Sequence, residues 1–319
     1  MTSLTTSTNT GFFRKLLLLT IGTLYLLILA GGIVRSTGSG MGCPDWPRCF
    51  GYWVPPTEVA QLPENYQQTY GAKLKGEVVF NVYKTWVEYA NRLLGVLTGL
   101  FIFATFLFST PLFRKDKVIV IACFVDLLLV AFQGWLGSRV VAAELAPWVV
   151  TLHTMVAILI VFILLFVWKR VTYDEKITFG MTKGKVIVSV LITLSLLQII
   201  LGTQVREVMD TVIKNVGYDH REQWIAGLDI KFIVHRSFSI VLLLLQFSLW
   251  NILRKYNPTS LSNWLMVIIV SEILVGAVMA YFSVPAFAQP IHLTLAVILV
   301  GVQFLIWLGY YPKLVWSQT

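Results

Sequence analysis

The sequence predicts an all-α integral membrane protein, with eight transmembrane helices arranged as two pseudo-symmetric four-helix bundles. Three observations predict it. The 319 residues are 57% hydrophobic and only 13% charged, with a mean hydropathy of +0.76, well outside the range of ordinary water-soluble domains. Apolar stretches of about 20 residues, the length a helix needs to cross ~30 Å of hydrocarbon, recur along the whole chain. The first half of the chain also resembles the second, as in membrane proteins built from repeated helix sets.

The apolar stretches begin near Leu16, Trp86, Val118, Trp148, Val186, Phe232, Trp264 and Pro290. Charges, Pro or Gly separate each from the next, and none alternates with the period of two that a membrane β-barrel requires. The first follows Arg14 and Lys15 like a signal peptide, but it runs on to Val34 without a small-residue cleavage site, so it reads as a retained helix. The expected organisation is a cytoplasmic tail over 1–15, a first bundle over 16–170 with an outer loop over 36–85, a linker over 171–185, a second bundle over 186–311 and a tail over 312–319. Residues 1–13 are Ser/Thr-rich and too short for an organellar transit peptide, which favours a bacterial inner membrane.

Lys and Arg in short connections set orientation, because long loops translocate largely regardless of charge. Arg14 and Lys15, then Arg114, Lys115 and Lys117, then Lys169, Arg170, Lys176, Lys183 and Lys185, then Arg254 and Lys255 all fall on one side. That side is expected to be cytoplasmic, with both termini. The long connections from Ser36 to Thr85 and from Glu207 to Lys231 then face outward. On this reading the net charge of +9 reflects topology, and no basic run points to nucleic acid.

The duplication is carried by three short matches in the same order. L-A-G-G-I-V-R ending at Arg35 aligns with I-L-G-T-Q-V-R ending at Arg206. N-R-L-L-G at Asn91 aligns with H-R-S-F-S at His235, and L-H-T-M-V-A-I-L around His153 with I-H-L-T-L-A-V-I around His292. With the N-terminus inside, Asn91, His153, His235 and His292 all come to lie near the outer surface.

An ionisable ring in a membrane span is costly, and neutral imidazole is a common axial ligand of haem iron. His235 and His292, related by repeat position, are expected to hold a six-coordinate b-type haem in the second bundle. The first bundle offers His153 opposite Asn91, whose amide is a poor iron ligand, so an iron held there would keep one face open. The competing interpretation is that these histidines only bond neighbouring helices. The fourth histidine, His220, lies in a polar connection and reads as a solvated surface residue.

Glu88 precedes Asn91 by one helical turn and shares its face, so it either handles protons at the site or pairs with Arg92. Arg35, Arg92, Arg139, Arg206 and Arg236 ring the same boundary, where most would snorkel to headgroups. Arg92 and Arg236 directly follow site positions and are the candidates for binding propionates, since the guanidinium fork suits carboxylates. Cys43 and Cys49, in G-C-P-D-W-P-R-C-F-G, can form a disulfide on an oxidising face, with stapling and a redox role both open. No second Cys/His pair stands at ligand spacing, which argues against zinc. Cys123, inside the third span, reads as a packing residue.

The chain resembles the haem A synthases over nearly its whole length, most specifically in G-G-I-V-R-S-T-G-S-G-M-G-C-P-D-W-P-R-C-F-G (Gly31 to Gly51), then in E-Y-A-N-R-L-L-G (Glu88 to Gly95) and the C-terminal histidine helices. The resemblance implies haem b held by His235 and His292 in the second half. It also implies that haem O is the substrate in the first half, near His153, where one ring methyl is oxidised to a formyl group by successive hydroxylations. Glu88 matches the family's site glutamate, and Cys43 and Cys49 match its cysteine pair, structural or relaying reducing equivalents. Where the family has histidine in E-x-x-H-R, this chain has Asn91. The partner the resemblance implies is a membrane-bound haem O synthase that supplies haem O; the identity of the electron donor and association with a further copy of the chain stay open. A quinone-linked membrane cytochrome b and a haem-binding assembly protein are the alternative readings.

Overall fold

The computed structural model describes residues 2–71, 80–172, 182–217, 220–256 and 260–315. Parts of the expected outer loop (72–79), the linker with Lys176 (173–181), the second long connection (218–219) and the C-terminal tail (316–319) lie outside the described residues. Among the described residues ten α-helices occur, in the order α1 Thr2–Ser36, α2 Tyr66–Gly71, α3 Val82–Ser109, α4 Lys117–Ala142, α5 Pro147–Val171, α6 Thr182–Val216, α7 Ile230–Tyr256, α8 Ser260–Tyr281, α9 Ala288–Gly309 and α10 Pro312–Val315. Eight of them, all but α2 and α10, are long and apolar enough to cross a membrane, as expected of a multi-pass membrane protein.

Each span follows from its sequence. Asn81 caps α3 by accepting from the Lys84 amide, Asp116 caps α4 by accepting from the Val118 amide, and Pro147 occupies the first turn of α5. Along α3, Leu93, Val96, Leu97, Leu100 and Phe103 form an exposed apolar stripe at helical spacing, while Thr98, Ile102, Thr105 and Ser109 on the opposite side are buried. A helix in lipid has no water to avoid, so its apolar face turns outward and small or hydroxylated residues pack inward. Thr20 and Thr105 show the result, with their hydroxyls 2.9 Å apart between α1 and α3.

In the first half, α1 packs on α3, α3 on α4, α4 on α5, and α5 back on α1. In the second, α6 packs on α7, α7 on α8, α8 on α9, and α9 back on α6. The halves meet through α1, α5, α6 and α9. A Cβ on Gly32 of α1 would stand 2.8 Å from Cα of Pro290, so only glycine permits that helix to lie so close to α9. Phe162 of α5 stacks on Phe304 of α9 at 4.4 Å, and the largest core cluster draws residues from α1, α5, α6 and α9 together.

Two boundaries differ from the sequence expectation. The segment expected as an N-terminal tail is helical from Thr2. Helix α6 continues past Arg206 to Val216, because Asp210, one turn on, pairs with Arg206 at 2.9 Å and with Arg35 of α1 at 2.6 Å. Beyond it Trp224, 1% exposed, donates to the Gly217 carbonyl and packs on Met209, Val212 and Ile213. His220 is exposed beside Glu222.

Candidate functional site

In the second half, His235 of α7 and His292 of α9 come together across the helix ring. Their ring centroids are 6.4 Å apart, with planes at 75°. Two imidazoles sharing one metal place their ligating nitrogens about 4 Å apart, and adding roughly 1 Å from each nitrogen to its ring centre gives about 6 Å. A cavity of about 410 Å³, within the usual range for ligand pockets, opens at this pair. Gln198, Glu272 and both histidines line it, along with Arg35, Arg206 and Arg236.

The three span histidines share one posture. A Cβ built on Gly137, Gly202 or Gly276 would lie 3.6, 3.3 or 3.4 Å from Cε1 of His153, His235 or His292 respectively, so each ring rests on a glycine of the preceding helix. Nδ1 of each ring is buried without a hydrogen bond, whereas Nε2 is absent from the buried, unpartnered atoms. In His235 and His292 Nδ1 also lies toward the glycine, at 3.8 and 3.9 Å from the built Cβ, which turns the Nε2 edge of each ring away from that helix. One turn before each glycine stands a polar residue. Gln133 donates its amide to the His153 main-chain carbonyl at 2.8 Å, Gln198 does the same for His235 at 2.8 Å, and Glu272 lies 3.2 Å from Nδ1 of His292. The fourth quarter keeps the glycine and departs at the other two positions. The repeat puts Leu27 where Gln198 stands and Gly31 where Gly202 stands, and Asn91 replaces the ring. A Cβ on Gly31 meets nothing within 4 Å.

Sequence reasoning missed the Gln/Glu-x-x-x-Gly pairs. The signal was present at fixed distances before the repeat-related positions, but each pair is embedded in an apolar run that the spans alone explain.

Above the first half, the outer loop is fastened to α3. Cys43 and Cys49 are joined in a disulfide. Glu88, 4% exposed, accepts from the Cys43 amide at 2.8 Å and from Arg92 at 2.5 Å. Arg92 also donates to the main-chain carbonyls of Asp45 at 2.7 Å, Arg48 at 3.0 Å and Cys43 at 3.0 Å. Of the two arginines expected to meet propionates, Arg236 therefore lines the cavity and Arg92 is engaged by the loop. Within that loop, Asp45 accepts from the Phe50 and Gly51 amides, and Phe50 packs edge-on to Tyr66, Tyr70 and Phe80. Burial first, then the Asp45 carboxylate, hold the Tyr70 phenol above its ordinary range. Cys123 is buried in the core of the first half.

Comparison with known proteins gives the same direction. The chain is 25% identical over 305 residues to a heme A synthase of Bartonella tribocorum, covering 85% of each chain. It is 26% identical over 327 residues to one of Rickettsia africae, covering 90% of this chain and 94% of that one. A shorter match to one of Shewanella oneidensis reaches 29% over 157 residues, 49% of this chain and 44% of that one. The family model described as cytochrome oxidase assembly protein matches residues 14–304. Carrying that match along nearly all of its helical frame, the chain belongs to the COX15-CtaA family of cytochrome oxidase assembly proteins.

Proposed function

We propose that this protein is a haem A synthase of a bacterial inner membrane, both termini cytoplasmic, oxidising one ring methyl of haem O to a formyl group. The observation that carries the reading is the unequal pair of sites: two histidines at 6.4 Å in the second half, and in the first a lone His153 in the same posture, with Asn91 at the repeat-related place. A bis-histidine site suits electron transfer, and a site with one ligand leaves an iron face open for oxygen chemistry.

In this reading His235 and His292 hold haem b, which supplies one-electron transfer between an electron donor and the substrate site. Arg236 takes a propionate at the cavity. In the first half, His153 ligates the iron of haem O, and Gln133 fixes the backbone that carries it. Two successive hydroxylations, each taking one oxygen atom from dioxygen while two electrons from the donor and two protons carry the other off as water, convert the methyl first to an alcohol and then to a geminal diol, whose loss of water leaves the formyl group. Glu88 acts as the acid–base group, with Arg92 as its partner. The disulfide and Arg92 hold the outer loop over this end of the bundle, limiting access of water. A membrane-bound haem O synthase would supply the substrate.

Haem extracted from cells that make haem O, with and without this protein, tests the reading. Haem A or its alcohol intermediate is expected only with the protein present. Unchanged haem O beside a six-coordinate haem b spectrum that depends on His235 and His292 would replace it with an electron-carrier or haem-binding assembly reading. One observation favours that second reading: both Glu88 oxygens are already engaged by protein donors. Glu88→Gln separates the two, since retained haem with lost product argues for catalysis.

A further inference from the structure

In the three quarters of the molecule that carry a span histidine, one residue lies four positions before the glycine under the ring. It is Gln133, Gln198 or Glu272. The two glutamines use their amide N–H to hold the main-chain carbonyl of the histidine, each at 2.8 Å. Among the described residues Glu272 makes no bond of that kind. Instead its Oε1 lies 3.2 Å from Nδ1 of His292, off the axis of a straight hydrogen bond, and its Oε2 is buried without a partner. A carboxylate with an orphaned oxygen beside an orphaned ring nitrogen needs only a small rotation to join it.

We infer that Glu272 is the positioning residue of His292, accepting the Nδ1 proton of the ring while Nε2 faces the iron, and that it makes the second half's haem harder to reduce. The inference rests on the reading of His235 and His292 as ligands of haem b. An imidazole bound to iron through Nε2 keeps its proton on Nδ1, which must find an acceptor. A carboxylate is a stronger acceptor than an amide or a carbonyl, so the ring gains basicity and gives more electron density to the iron. Added density favours the ferric state. The two ligands then differ: His292 is backed by a carboxylate and His235 by the neutral Gln198. The same asymmetry distinguishes the sites, because His153 is backed by Gln133 and keeps the weaker donor strength.

The chain contains its own control, since glutamine already fits this position in two of the quarters. Redox titration of the purified protein with its haem, followed by its optical spectrum, compares wild type, Glu272→Gln and Gln198→Glu. In Glu272→Gln, haem content is expected to persist while the ferric-to-ferrous ratio at fixed potential falls about tenfold, raising the midpoint by about 59 mV for a one-electron couple. Gln198→Glu is expected to move the midpoint down. Variants that hold haem with the wild-type midpoint overturn the inference. Should Glu272→Gln fail to accumulate, Gln198→Glu alone decides: a lowered midpoint supports the inference and an unchanged one overturns it. Wild-type protein without haem b, or with haem indifferent to loss of both His235 and His292, removes the underlying reading and this inference with it. That result is distinct from bound haem with an unmoved midpoint.

Discussion

Replacing Arg92 by alanine should release the outer loop while leaving the membrane spans intact. The side chain serves four acceptors at once: Glu88 at 2.5 Å and the carbonyls of Asp45, Arg48 and Cys43 at 2.7, 3.0 and 3.0 Å. Its side chain is 14% exposed and that of Glu88 is 5% exposed, so the pair is largely shielded from water. Removing one partner of a buried pair costs about 3–5 kcal/mol, because the other charge stays buried and unpaired. Residual exposure places Arg92→Ala near the lower limit, about 3 kcal/mol. At 1.4 kcal/mol per decade, loop opening becomes about a hundredfold more frequent. The assay is the rate at which a small reductant opens Cys43–Cys49, read by alkylation of the freed thiols in membranes. Cys123, buried among the spans, should stay unlabelled and so report that the spans remain folded. Arg92→Lys keeps the charge but loses the fork, and should fall between. A rate within threefold of wild type in an inserted Arg92→Ala protein would refute the argument that this guanidinium fastens the loop.

Gly202→Ala puts a methyl 3.3 Å from Cε1 of His235, a contact the ring must yield to, and haem affinity should fall about 10–100-fold, as when support behind a metal ligand is disturbed; haem content per polypeptide checks it. Gln133→Leu leaves the His153 carbonyl without its 2.8 Å donor at a cost of about 1–3 kcal/mol. Turnover of haem O should drop in that variant while the optical signature of the second half persists. Asn91→His places a ring where Gly31 leaves room, and should add a second six-coordinate haem signal while suppressing product by closing the open face; spectra and extracted haem report both. Asp210→Asn breaks contacts to Arg35 and Arg206, but its side chain is 35% exposed, so the melting temperature should change by the equivalent of no more than about 1 kcal/mol.

Much of the fold was legible because lipid imposes length and apolarity on each helix, and those properties survive in one sequence. Spans starting near Trp86 and Pro290, for example, fall within α3 and α9. The approach of His235 to His292 followed from their repeat positions together with their common depth in one bundle. What escaped depends on partners distant in sequence. The pairing of Glu88 with Arg92 is a one-turn contact that the spacing anticipates, but its second bond goes to Cys43 in another segment. The length of α6 is set by Asp210 meeting an arginine of α1, which no local pattern in α6 announces. Glu272 lies within an apolar run whose other residues satisfy the helix, and its relation to His292 emerges only once α8 and α9 are packed together.

The crossing of α1 and α9 at Gly32 and Pro290 bears on the order of assembly. Helix α1 leaves the ribosome before α9, so the face of α1 that carries Gly32 waits in the bilayer while the helices between them are made. Domains made earlier in a chain generally fold as units during synthesis, but here the seam between the halves can close only when α9 inserts. Until then the inner surfaces of α1, α5 and α6 remain open to the membrane.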